Sequence, residues 1–180
     1  MLELTIPPAE YFDEKTNEFG KFNGITLRLE HSLVSISKWE AKWKTVFLSK
    51  EPKTVEQTID YIRCMTINQN VDPLTYSLIS NEHVNLINAY IEDEKTATTF
   101  NNTHAPRRSN EVVTSELIYF WMAQFNIPME CQKWHLSRLL TLIRIASIKN
   151  SPEKKMSKRA IMSQNRSLNA ARRKMHGTRG

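Results

Sequence analysis

Cys131 and His135 stand four residues apart, the spacing that brings a thiol and an imidazole together on one face of a helix. Such a pair resembles the start of a nucleophilic site, but neither a third orienting group nor an oxyanion hole accompanies it. The other histidines are His31, His83, His104 and His176, and none has a histidine at the fourth position on to form a metal-binding helix face. His135 therefore reads as a hydrogen-bonded core histidine. The run Glu92-Asp93-Glu94-Lys95 has the carboxylate-plus-lysine composition of metal-dependent nucleases, and equally that of a solvated helix end. Glycine occurs only at positions 20, 24, 177 and 180, so no glycine-rich phosphate loop can form between Ile25 and His176. No catalytic residue, metal site or cofactor is assigned from these patterns, and a non-enzymatic role is expected.

The strongest chemical signal is a cluster of positive charge. From Ser151 to Gly180 nine basic residues face the single acid Glu153, a net charge of +8, whereas the first 150 residues carry −2. A basic tail presenting Lys154, Lys155, Lys158, Arg159, Arg166, Arg172, Arg173 and Lys174 would seek an anionic partner. That partner could be an acidic protein surface or nucleic-acid phosphates. No aromatic residue follows Trp134, which argues against a base-stacking platform. No helix-turn-helix or zinc-finger spacing supports base-specific readout.

These groups need a scaffold, and its pattern is mainly helical. The chain has 180 residues and is 40% hydrophobic, the profile of one globular core. Leu2, Leu4 and Ile6 alternate with polar residues, as do Ile25, Leu27 and Leu29, with turn chemistry at Pro7-Pro8 and around Gly20 and Gly24. These features predict a β-hairpin arm over residues 1–30 that must pack on something to be stable. A helical core over 31–150 follows. Ile36, Trp39, Trp43, Val46 and Phe47 fit one helix face, and Thr54 with Gln57 forms a capping box for the next helix. Trp39 and Trp43 are candidates for protein contact, although their stripe suits a core better.

A short helix is expected over Leu74–Ile79 and another after Asn81, with Val84, Ile87 and Tyr90 turned inward. Glu92 to Asn110 reads as a long polar loop. Glu111–Asn126 and Met129–Ile148 then predict two central helices forming an antiparallel αα-hairpin around Pro128. Ser157 can cap a last, basic helix in the 151–180 tail, ended by Gly177. The apolar run Leu136–Ile148 is broken by Arg138 and Arg144, so no membrane span is expected. No secretion signal is read at the N-terminus, and two cysteines without a CxxC motif suggest a reducing compartment.

Three blocks carry a family resemblance: LEHSLVSISKWEAKW (Leu29–Trp43), ELIYFWMAQFNIPMECQKWHLSRLLTLIRIA (Glu116–Ala146) and KMSKRAIMSQNRSLNAARRK (Lys155–Lys174), together over a third of the chain. They resemble proteins encoded in the tail-gene region of tailed bacteriophages, a group described as tail assembly chaperones. The resemblance implies a small helical assembly factor that binds tape-measure and tail-tube proteins in the host cytoplasm, with no catalytic residue to transfer. A structural component of the virion neck or tail is the alternative, and nucleic-acid binding through the basic tail is another. The sequence admits homo-oligomerisation.

Overall fold

The computed structural model describes residues 1–13, 17–100, 112–150 and 158–177. It is mostly helical, with a small β arm of two sheets at the N-terminus. The chain divides into two compact units, Met1–Ser147 and Ile148–Gly180.

The arm is one long hairpin with a break in its ladder. Strand β1 (Leu2–Ile6) pairs antiparallel with β4 (Ile25–Leu29), and β2 (Ala9–Asp13) pairs with β3 (Glu18–Phe22). Ile6 lies opposite Ile25, and Ala9 lies opposite Phe22, so both ladders continue one register. Pro7 and Pro8 lack an amide proton and cannot extend the ladder between them. Opposite them, Gly24 takes φ +75°, and a Cβ there would meet Pro8 N at 2.9 Å and Ile6 O at 3.0 Å. The base of the hairpin is anchored, because Leu4, Ile6, Leu27 and Leu29 are buried in the core while their strand neighbours face outward. Its outer half carries the exposed ring pair Phe12 and Phe19, 5.1 Å apart.

Helix α1 (Leu33–Trp43) starts at Ser32, whose hydroxyl accepts from the Ser35 amide. It ends at Trp43, earlier than the apolar stripe suggests, because Lys44 turns left-handed at φ 55°. Phe47 then folds back, and its amide donates to Glu40 Oε1 at 2.8 Å. Val46 and Phe47 are thus not on the helix, although Phe47 still packs in the core. Helix α2 (Val55–Met65) opens with the expected Thr54–Gln57 capping box. Helix α3 (Leu74–Ser77) is short, and α4 (Asn81–Glu92) opens with a second capping box made by Ser80 and His83.

Helix α5 (Ser115–Gln124) is capped by Thr114 and buries Ile118 and Met122, while Phe120 is exposed. The expectation of one helix over Met129–Ile148, packed as a simple αα-hairpin, is corrected. Met129–Lys133 is a 3₁₀ turn, the chain then extends through Trp134 and His135, and α6 (Leu136–Asn150) begins afterwards. The physical reason is a long-range tether. His135 bridges to Ser32, and the Leu136 amide donates to His31 O at 2.8 Å, so the joint between β4 and α1 recruits this backbone. The same joint holds α2, through Glu30 N to Met65 O at 3.0 Å and Ile67 N to Arg28 O at 2.8 Å.

In the second unit, α7 spans Lys158–His176, and Gly177 follows it at φ +61°. Part of the expected loop, residues 101–110, lies outside the described residues, as do Glu111, Ser157 and residues 151–156.

Candidate functional site

Helix α7 carries most of the basic residues that the sequence singles out. Arg159, Arg166, Arg172, Arg173 and Lys174 are exposed on it, Lys158 is its first residue, and Lys154 and Lys155 lie outside the described residues. Ile161, Leu168 and Met175 recur every seven residues and so share one side of the helix, and all are exposed. No acidic residue occurs between Lys158 and His176. This helix can present an apolar strip flanked by positive charge.

The two tryptophans proposed for partner contact are placed differently. Trp39 is fully buried and its indole N–H donates to Gln57 O at 2.9 Å, so it offers no surface and acts as core. Trp43 is partly buried against that core, and its indole donates to Asp60 Oδ2 at 2.9 Å. Lys42 Nζ reaches Asp60 Oδ1 at 2.5 Å. Burial raises the Asp60 pKa, but the hydrogen bonds from Lys42 and Trp43 outweigh it and hold the carboxyl below its ordinary value.

Around the β4–α1 joint lies a polar groove of about 780 Å³. Glu30 stands at its edge with both oxygens engaged: Tyr90 OH donates to Oε1 at 2.7 Å, and the Met1 amino group lies 2.9 Å from Oε2. His135 is equally committed. Its Nε2 lies 3.1 Å from the Tyr90 carbonyl, which can only accept, so Nε2 carries the proton. Nδ1 then accepts from Ser137 Oγ at 2.8 Å. Burial pushes the His135 imidazole below its usual pKa. Beneath it, His31 is buried and shares a 2.5 Å hydrogen bond with Tyr61 OH. Burial first, then the neighbouring His135, lowers His31 to about 4. Glu30, Tyr90, His31 and His135 thus each have a structural partner. The cations Lys133 and Arg138 at its rim form no ion pair among the described residues.

Cys131 lies buried in the 3₁₀ turn and His135 lies beyond it, so the two do not share a helix face. In the acidic run, Glu92 ends α4 and Asp93 pairs with Lys95. Among the described residues no group of three or more His, Cys, Asp or Glu side chains could hold a metal ion, and no helix is long and apolar enough to cross a membrane.

Sequence reasoning singled out α7 but missed the groove. Met1, Glu30, Tyr90–Lys95 and Lys133–Arg138 are four separate stretches of chain, and no local spacing connects them. Comparison with protein-family models, with curated proteins and with solved structures finds no match.

Proposed function

We propose that this chain is a non-enzymatic assembly factor that binds other proteins, in the manner of a bacteriophage tail assembly chaperone acting on tape-measure and tail-tube proteins. One observation carries the reading: every described side chain of α7 is exposed, on a helix with an apolar strip, six basic residues and no acid. A helix with so little burial gains little from its own chain, since most helical stability in proteins comes from tertiary packing of an amphipathic face. Docking its strip into a groove of an acidic helical partner supplies both missing terms, apolar burial and charge compensation. The committed hydrogen bonds of Glu30 and His135 favour binding over turnover, because neither group is left ready to accept a substrate proton.

The test is co-expression of the tagged chain with the tape-measure product of the same genome, followed by affinity capture. The complex is expected at low and physiological salt, and its absence at low salt overturns the reading. The charge of α7 also favours a second reading, binding to nucleic-acid phosphates. That reading expects affinity for random-sequence DNA or RNA that falls steeply, by about 10³-fold or more, between 50 and 200 mM salt.

A further inference from the structure

We propose that the groove at the β4–α1 joint is a carboxylate-binding site that takes an acidic side chain from a peptide segment of a partner protein. The inference rests on the protein-binding reading above and names a second contact, separate from α7.

Charge within the groove is not balanced. Glu30 is neutralised by Tyr90 OH and the Met1 amino group, and Lys95 is neutralised by Asp93. What remains are Lys133 and Arg138, both exposed, which precede and follow the Trp134–His135 extension in the chain. The Arg138 guanidinium lies 4.7 Å from the Trp134 ring centroid. Stacking of that kind holds the planar fork in place while its edge donors stay available for a carboxylate. Trp134 is 37% exposed and supplies a flat apolar wall next to the cations. The break between the 3₁₀ turn and α6 creates this arrangement. A continuous helix over the same residues would leave no extended segment to carry Trp134 into the groove wall.

The groove's size and charge favour a single carboxylate in a peptide. About 780 Å³ lies within the range of ligand sites, with room for more than one side chain. Phosphates are commonly held by glycine-rich backbone that approaches closely, and this chain has no glycine between Ile25 and His176. Glu94, exposed and without an ion pair among the described residues, stands directly before Lys95, so a ligand with several negative charges would meet repulsion there. A singly charged carboxylate with an apolar neighbour to lie on Trp134 fits both conditions.

The experiment titrates a short blocked peptide with one glutamate flanked by leucines into the nitrogen-15-labelled full chain. Inorganic phosphate and ATP are titrated in parallel. The chain has four tryptophans, and Trp134→Phe assigns the indole N–H resonance of interest. A saturable shift of that resonance with the peptide is expected, with affinity weakened roughly tenfold by Arg138→Ala. Lys133→Ala is expected to act in the same direction. Both residues are exposed, so thermal unfolding of either variant should match the parent. An unmoved Trp134 resonance overturns the proposal, as does tighter binding of phosphate or ATP, or an Arg138→Ala variant that binds the peptide as the parent does. The capture experiment on α7 reads a different surface. Partner capture with a silent groove rejects the carboxylate site alone, and a working groove with no partner capture rejects the assembly-factor reading alone.

Discussion

At the scale of single residues, buried polar groups set how the protein responds to solution conditions. His31 is 4% exposed, and its pKa falls from an ordinary 6.5 to about 4 in the folded chain. The unfolded chain therefore binds a proton between those values that the folded chain refuses. Stability is complete above about pH 6.5 and declines as pH falls toward 4, by about 3 kcal/mol over the interval. His135, lowered for the same reason of burial, acts in the same direction. Urea unfolding at pH 7 and pH 5 checks this, and His31→Leu is expected to flatten the slope between them. Glu40 provides a second residue-scale expectation. It is buried, and its two oxygens accept from the amides of Phe47 and Ser115, each at 2.8 Å. One carboxylate thus fixes both the turn after α1 and the start of α5. Glu40→Ala leaves two buried amides without acceptors and should cost about 2–5 kcal/mol in denaturant unfolding. Nothing in the local sequence distinguishes Glu40 from a solvated helix glutamate, because its partners come from a turn and from a helix far along the chain.

At the scale of elements, local chemistry was legible where it was decided locally. The Thr54–Gln57 box and the alternation of Leu2–Ile6 and of Ile25–Leu29 appear where the sequence indicates. Periodicity misled where a distant contact decided the boundary. Phe47 keeps helical spacing with Trp43, yet the Glu40 side chain captures its amide and the helix stops. Met129–Ile148 reads as one apolar helix, yet the β4–α1 joint bonds to Leu136 and splits it. Two substitutions test these elements. Thr54→Ala removes the acceptor of the Gln57 amide and should cost about 1 kcal/mol. Gly24→Ala forces a Cβ against the backbone of Ile6 and Pro8 at positive φ. It should destabilise by more than about 1 kcal/mol, seen as a lower melting midpoint.

At the scale of the whole molecule, charge and burial are segregated. The first unit buries the aliphatic and aromatic core, while in the second every described side chain of α7 is exposed. That division of charge was evident from composition alone. The groove was not, since it exists only once four chain segments meet. A chain ending at Asn150 should therefore unfold at nearly the same midpoint as the full chain, because the described side chains of α7 are all exposed. The same shortened chain provides the most direct measurement of how the protein works. Full and shortened forms, each tagged, are co-expressed with the tape-measure protein and captured side by side at physiological salt. The full chain should retain the partner, and the chain lacking residues 151–180 should lose most of it while staying folded. Equal capture by both forms would contradict a role for the basic helix, and capture by neither would contradict protein binding as the chain's activity.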